Sequence, residues 1–98
     1  MTAPRGTDAV TLRLVIRGRV QGVGFRYALA DEARERNLHG WVRNRRDGSV
    51  EAIVAGRADE VDAIVAWSRR GPAAASVSGV EASPAEGEFA GFDIAPTA

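Results

Sequence analysis

The chain of 98 residues contains no cysteine and a single histidine, His39. Without cysteine there is no disulfide framework, no thiolate nucleophile and no cysteine metal cage. A lone histidine is a poor basis for a metal site or a proton relay, so His39 is better interpreted as a strand residue near the surface. Any chemistry must therefore use other side chains or the backbone. The absence of cysteine also suits the cytoplasm, which is the location that we predict.

Long apolar runs are missing as well. No segment approaches the roughly 18 apolar residues of a membrane helix. The opening sequence MTAPRGTDA lacks the apolar core of a secretion signal. We therefore predict no membrane partner, a frayed N-terminal tail at residues 1–9, and one domain at residues 10–98.

Lysine is absent too, so all 13 basic residues are arginine, and 13 acidic residues bring the net charge to zero. The charge is unevenly placed. Residues 13–46 hold nine arginines against three acids, a balance of +6, and the remainder has a balance of −6. A basic half in a neutral protein hints at an anionic ligand, although arginines scattered over solvated faces give the same count.

Hydrophobic spacing predicts alternating strands and helices. Apolar residues at every second position indicate half-buried strands, and spacings of four indicate helices with one buried face. Asp47 and Gly48 predict a tight hairpin turn, and Gly56 is expected to end the strand that returns from it. The predicted elements are a strand at 10–16, a helix at 25–36, strands at 38–44 and 49–55, a helix beginning near 59 and ending near 69, and strands at 75–82 and 89–94.

This order is β-α-β-β-α-β with an added final strand. Right-handed crossovers then place both helices on one face of a mixed, largely antiparallel sheet. We therefore predict a ferredoxin-like α/β sandwich, in the α+β class.

The segment GRVQGVGFR at residues 18–26 is unusually rich in glycine for a connection between a strand and a helix. Gly22 and Gly24 allow backbone angles that turn successive N–H groups inward. A helix that begins near Phe25 adds unpaired N–H groups, and Arg26 adds a fork of donors. Such a cradle suits a phosphate, but tight turning and a solvated helix charge would explain the same residues. The segment matches neither the P-loop nor the full dinucleotide fingerprint.

A second segment makes the phosphate interpretation more specific. GWVRNRRDGSVEAIVAG, at residues 40–56, places Asn44 at the end of a strand beside the hairpin. Together with IRGRVQGVGFR, and with GPAAASV and FDI further along, it resembles the acylphosphatase family from about residue 11 to residue 94.

The resemblance implies a hydrolase of acyl phosphates that uses no metal and no cofactor, releases inorganic phosphate and acts as a monomer. By position, Arg26 would bind the phosphate and Asn44 would position the attacking water. The residues that would supply the backbone cradle are Gln21, Gly22, Val23, Gly24 and Phe25. A carboxylate leaves readily, so positioning and charge stabilisation suffice. Neither motif offers a general base, and the substrate's own phosphate oxygen is the expected proton acceptor.

Two other function classes compete with this interpretation. Ferredoxin-like sheets can bind nucleic acid by stacking bases on exposed aromatic side chains. The strands here lack such an aromatic cluster, so no nucleic-acid partner is predicted. A non-catalytic domain that binds acyl or carbamoyl phosphate would share Arg26 with the enzyme, and only turnover separates those two.

Overall fold

The computed structural model describes residues 6–98 of the chain. Two helices and five strands follow in the predicted order. The elements are β1 (Ala9–Arg19), α1 (Phe25–Glu35), β2 (His39–Asn44), β3 (Val50–Arg57), α2 (Ala58–Ser68), β4 (Ser76–Pro84) and β5 (Phe92–Ile94).

The strands form one mixed sheet in the order β4-β1-β3-β2-β5. β1 pairs antiparallel with both β3 and β4, and β2 pairs antiparallel with β3. Only β5 runs parallel to its neighbour, β2. The predicted ferredoxin-like α+β architecture is confirmed.

The core lies between the sheet and the two helices. Alternate strand residues point toward the helices, among them Leu14 and Ile16 of β1 and Val50 and Val54 of β3, all fully buried. The helices contribute their own buried faces, which include Phe25, Leu29, Ala33, Val61 and Ile64. Both helices therefore cover the same face of the sheet, as predicted. Each helix has 11 residues, and within residues 6–98 no helix is long and apolar enough to cross a membrane.

Glycine positions account for the strand boundaries that differ from the predictions. β1 continues to Arg19 through a bulge between Arg17 and Gly18, where β4 approaches closely. A Cβ atom on Gly18 would lie 2.3 Å from the Ser76 carbonyl oxygen, so only glycine fits there. The loop that follows is shorter than predicted, since residues 18 and 19 are strand residues.

The prediction that Gly56 ends its strand was wrong. Gly56 lies inside β3, which continues to Arg57. A Cβ atom at this position would lie 2.7 Å from Leu38 Cδ2, so close packing explains the glycine. The last strand is also shorter than predicted, because β5 comprises only Phe92–Ile94.

The predicted tail at residues 1–9 has only its second part within the described residues; residues 1–5 lie outside them. The carbonyl oxygens of Gly6 and Asp8 accept hydrogen bonds from the N–H groups of Asp59 and Ala58, at 3.0 and 2.8 Å. Residues 6–9 therefore lie against the start of α2, while the domain boundary itself stays a prediction.

Candidate active site

The two sequence motifs meet at one end of the sheet. Val50 at the start of β3 pairs with Ile16 of β1 on one side and with Asn44 of β2 on the other. The chain leaves β1 at this same end and passes through residues 20–24 into α1. The glycine-rich loop, the beginning of α1 and the end of β2 are thus neighbours.

Asn44 is held by its strand but has an unpaired side-chain oxygen. Its backbone carbonyl accepts a hydrogen bond from the N–H of Ala98 at 3.0 Å. Because side chains alternate along a strand, Asn44 faces the same side as the buried Val42, the side that the helices cover. Its Oδ1 atom is buried and has no hydrogen-bond partner among residues 6–98. Such an orphaned acceptor is uncommon in a folded protein and calls for an explanation.

The N-terminus of α1 is open. Gly24 is its N-cap residue and has a left-handed conformation, with φ of 78° and no side-chain cap. The first hydrogen bond within the helix runs from the Ala28 N–H to the Gly24 carbonyl. The N–H groups of the preceding first turn have no partner inside the helix. No acidic side chain lies in that turn to occupy them.

The N-terminus of α2 shows the opposite arrangement. Its first N–H groups, those of Ala58 and Asp59, donate to carbonyl oxygens of the preceding segment. The N–H of Glu60 donates to Oδ1 of Asp59 at 2.8 Å. The first turn of α2 also carries two carboxylates, those of Asp59 and Glu60. An anion finds donors and a favourable dipole at α1, whereas at α2 it meets negative charge and occupied donors.

Two glycines shape the loop that leads into α1. Gly22 and Gly24 have φ of 72° and 78°, as their sequence context predicted. No heavy atom lies within 4 Å of a Cβ built on either residue. Their backbone therefore borders open space, which leaves room for a ligand against the chain.

Arg26 lies in the first turn of α1 and is half-buried. Its guanidinium carbon is 5.7 Å from the centre of the Tyr27 ring. Tyr27 itself is 62% exposed. Within residues 6–98 no carboxylate lies within ion-pair distance of Arg26, so its charge is available to an anionic ligand.

Most other arginines of the basic half already have acidic partners. Six of the nine arginines in residues 13–46 form ion pairs with described carboxylates. These six are Arg13, Arg17, Arg34, Arg36, Arg43 and Arg45. The charge asymmetry seen in the sequence is thus largely neutralised in the fold, and Arg26 is among the exceptions.

The side chain of Gln21 contacts the hairpin that follows Asn44. Its Nε2 atom donates to the carbonyl oxygens of Arg45 and Ser49, at 2.7 and 2.9 Å. The sequence interpretation assigned mainly the backbone N–H of Gln21 to the site, and it missed this side-chain bridge. No local pattern in the sequence indicates a contact between residues so far apart along the chain.

Hydrogen bonds to the Asp47 side chain stabilise the hairpin turn. Oδ1 of Asp47 accepts hydrogen bonds from both the hydroxyl and the backbone N–H of Ser49, at 2.6 and 2.9 Å. These bonds, first of all the one from the hydroxyl, lower the pKa of Asp47, and Arg45 and Arg17 lower it further. The prediction that Asp47 serves the turn is confirmed.

Two concavities among residues 6–98 include neither Asn44 nor the loop at residues 20–26 in their lining. The larger one, about 500 Å³, lies at the opposite end of the sheet, between Arg36, Gly56 and Glu60. A smaller one, about 120 Å³, borders the hairpin between Arg17 and Ser49. Within residues 6–98 no three His, Cys, Asp or Glu side chains are grouped to hold a metal ion. Shape alone would point to the far groove, where Nε of Arg36 is also buried without a hydrogen-bond partner among residues 6–98. The open first turn of α1 and the unpaired acceptor of Asn44 lie together at the loop end.

Comparison with known proteins gives a consistent result. The family model described as Acylphosphatase matches residues 12–94. An acylphosphatase of Cupriavidus necator is 55% identical over 87 residues, covering 89% of this chain and 95% of the relative. One from Azoarcus sp. is 54% identical and covers 99% of both chains. The solved structure of an acylphosphatase from Coxiella burnetii superposes with a TM-score of 0.86 at 31% identity, over 89% of this chain and 93% of the other.

Proposed function

This chain belongs to the acylphosphatase family, hydrolases that act on acyl phosphates, and we propose that it performs this reaction at the open end of α1 with Arg26 and Asn44 as catalytic residues. The observation that carries the proposal is the buried, unpaired Oδ1 atom of Asn44 at the same sheet end as the open helix N-terminus. A water molecule that donates to this oxygen would satisfy it and would be held beside a bound phosphate.

The phosphoryl group binds to the loop and the start of α1. The backbone N–H groups of residues 21–25 supply donors, and the helix dipole favours the negative charge. Arg26 adds a charge-assisted fork, which strengthens as charge builds up on the phosphoryl oxygens in the transition state. The open space beside Gly22 and Gly24 supports this placement.

Hydrolysis then needs little besides alignment. The water oxygen attacks phosphorus in line with the bridging oxygen, and the bond between phosphorus and that oxygen breaks. The carboxylate leaves with the bonding electron pair, and as a weak base it needs no proton from the enzyme. The water proton passes to a nonbridging phosphoryl oxygen, so carboxylate and inorganic phosphate are the products.

The alternative is a domain that binds acyl or carbamoyl phosphate without turnover. Arg26 and the loop serve both functions equally well. Asn44 separates them, because binding without turnover does not need an unpaired buried acceptor that can hold an attacking water. Full-length similarity to proteins named as acylphosphatases also favours the enzyme.

The test is hydrolysis of benzoyl phosphate with EDTA present. We expect Asn44→Ala to lower kcat by about 100-fold or more, as loss of a transition-state contact does, while the inhibition constant of inorganic phosphate stays nearly constant. Arg26→Gln should weaken phosphate inhibition and lower kcat together. Arg69→Gln, at an exposed arginine beyond the end of α2, is the matched control and should match the wild type.

Three outcomes would contradict the proposal. Unchanged kinetics in both site variants would remove the assigned residues. Loss of wild-type turnover in EDTA, restored by a divalent ion, would show that the reaction needs a metal. Phosphate binding without any turnover would leave the binding domain as the function.

The proposal extends to the state in which the enzyme works. We propose a monomer that acts in the cytoplasm and binds no nucleic acid. Tyr27 is the large apolar side chain that the described surface exposes, and a single such residue is ordinary for a monomer. Sedimentation, cell fractionation and an oligonucleotide titration at low salt test the three parts separately.

A further inference from the structure

We propose that the side chain of Gln21 is a positioning residue, which holds Asn44 in register with the phosphate-binding loop. The inference rests on the proposed function, since it concerns the placement of the attacking water relative to the bound phosphoryl group. It assigns to the Gln21 carboxamide a role separate from the backbone N–H that the cradle uses.

Apart from the pairing of Ile16 with Val50 and the ion pair of Arg17 with Asp47, the Gln21 side chain supplies the link between these two segments. Gln21 lies in the loop between β1 and α1, whereas Arg45 and Ser49 close the hairpin between β2 and β3. The two hydrogens of Nε2 are shared between their carbonyl oxygens at 2.7 and 2.9 Å. Arg45 directly follows Asn44, so fixing its carbonyl restricts the backbone of Asn44.

Hydrogen bonds within the hairpin fix the two carbonyl groups that the Gln21 side chain contacts. The N–H of Arg45 donates to the Ser49 carbonyl at 2.8 Å, and the N–H of Gly48 donates to the Arg45 carbonyl at 3.1 Å. Both carbonyl oxygens therefore accept a second hydrogen bond from Gln21, which their two lone pairs allow. Donors, not acceptors, are needed here, and a carboxamide nitrogen supplies two from one atom.

Loss of these donors should lower kcat, because the distance between the water at Asn44 and the bound phosphoryl group would no longer be fixed. The loop and the hairpin would still be tied through the pairing of Ile16 with Val50, but the last few residues of each could move. A displacement near 1 Å between reacting groups lowers a rate by about 100-fold. Phosphate binding depends on the loop and Arg26 alone, so it should change much less than kcat.

The experiment uses two substitutions of similar size, Gln21→Met and Gln21→Glu, in the full chain with benzoyl phosphate as substrate. Gln21→Met has no donor and should lose between about 10-fold and 100-fold in kcat, with the phosphate inhibition constant within a factor of three. Gln21→Glu donates only when protonated, and two facing carbonyls favour that form. Its kcat relative to that of Gln21→Met should rise on acidification from about pH 8 to about pH 5.

A double-mutant cycle with Asn44→Ala tests whether Gln21 acts through Asn44. In the Asn44→Ala background we expect Gln21→Met to have no further effect on kcat. Arg34→Met is the matched control, because Arg34 also bridges by donating to a distant backbone carbonyl, that of Phe92, at 2.7 Å. It should lower the melting temperature and leave kcat unchanged.

Two results would overturn the inference. Equal losses of kcat in the wild-type and Asn44→Ala backgrounds would show that Gln21 acts independently of Asn44. Full kcat in Gln21→Met, with folding verified by circular dichroism, would show that the bridge has no catalytic effect. If Asn44→Ala alone retains full kcat, the proposed role of Asn44 fails instead, and this variant is therefore measured before any Gln21 variant. Should Gln21→Met not fold, the kcat of Gln21→Glu relative to that of the wild type, measured over the same pH range, carries the test.

Discussion

Two half-buried amide side chains at one sheet end differ in their hydrogen bonding. The amide nitrogen of Gln21 donates to two carbonyl oxygens, whereas Oδ1 of Asn44 accepts no hydrogen bond from residues 6–98. A buried acceptor that no protein group satisfies costs up to about 1–3 kcal/mol of folding stability, and less where a water molecule donates to it. A protein retains such a cost where function uses the group. We therefore expect the Asn44 side chain to lower folding stability while it supports activity.

This opposition gives a prediction for Asn44→Ala. Because the substitution removes the unpaired oxygen of a half-buried side chain, the free energy of unfolding should stay constant or rise by up to about 1 kcal/mol. Val42→Ala, two residues earlier on the same face and fully buried, should cost about 2 kcal/mol. Urea denaturation of both variants measures the difference. A loss for Asn44→Ala as large as that for Val42→Ala would mean that Asn44 is an ordinary packing residue.

Gly24 offers a second prediction at this scale. Its φ of 78° is costly for any residue with a Cβ, although the space around it is free. Gly24→Ala should therefore lose about 1–2 kcal/mol of unfolding free energy and weaken inhibition by inorganic phosphate. Gly79→Ala is the control, because Gly79 has no positive φ and equally free space. Similar effects of the two substitutions in thermal denaturation would refute the argument from backbone conformation.

What the sequence reveals about the site depends on how local each feature is. The positive φ of Gly22 and Gly24 follows from glycine spacing before a helix, and it was predicted. The hydrogen bonds of Gln21 reach 24 and 28 residues along the chain, so no pattern of neighbouring residues encodes them. The unpaired oxygen of Asn44 is equally hidden, since burial of one atom depends on the whole fold.

At the scale of elements, Glu51 joins three strands on the face of the sheet away from the helices. Its carboxylate accepts hydrogen bonds from Arg13 of β1 at 2.6 Å and from Arg43 of β2 at 2.7 Å. Glu51 is only 5% exposed. Burial by itself would raise the pKa of Glu51, but the hydrogen bonds from Arg43 and Arg13 outweigh it, and the pKa is lowered from its usual 4.5.

The direction of this shift determines how stability depends on pH. A lowered pKa in the folded protein means that the Glu51 contribution is fully present above the unfolded pKa, near 4.5. It is lost as the pH falls from there through the lower, folded pKa. Glu51→Gln should lower the free energy of unfolding by about 2 kcal/mol at neutral pH. The loss is no larger because both arginines remain partly solvated. The stability of this variant should also fall less steeply below about pH 4.5. Parallel urea midpoints for variant and wild type between neutral and acidic pH would contradict this role.

The elements themselves were predictable where the hydrophobic period is regular. α1 and β2 begin and end within two residues of their predicted bounds, because their buried faces recur at fixed intervals. The predictions failed at Gly18, which was assigned to the loop, and at Gly56, which was interpreted as a strand break. In both cases the glycine lies inside a strand and makes room for an approach from elsewhere, by Ser76 and by Leu38. Contacts of this kind are properties of the assembled sheet.

Across the whole molecule, the two faces of the sheet differ in their side chains, and the two helices differ at their N-termini. The helix-covered face holds the apolar core and leads, at one end, to Asn44 and the open N-terminus of α1. The opposite face carries the ion pairs around Glu51. α2 is capped by the preceding segment and serves packing, while α1 is left uncapped. An uncapped helix end lowers stability until an anion occupies it, which couples ligand binding to folding.

This coupling predicts that inorganic phosphate stabilises the entire domain. At about 100 times its dissociation constant, phosphate should add about 2.7 kcal/mol to the free energy of unfolding. For a chain of this length that raises the melting temperature by about 10 °C or more. Arg26→Gln should lose most of the shift, whereas Arg69→Gln should keep it, and sodium chloride at equal ionic strength should not reproduce it. An equal shift in both variants, measured by differential scanning calorimetry, would place the anion away from the first turn of α1.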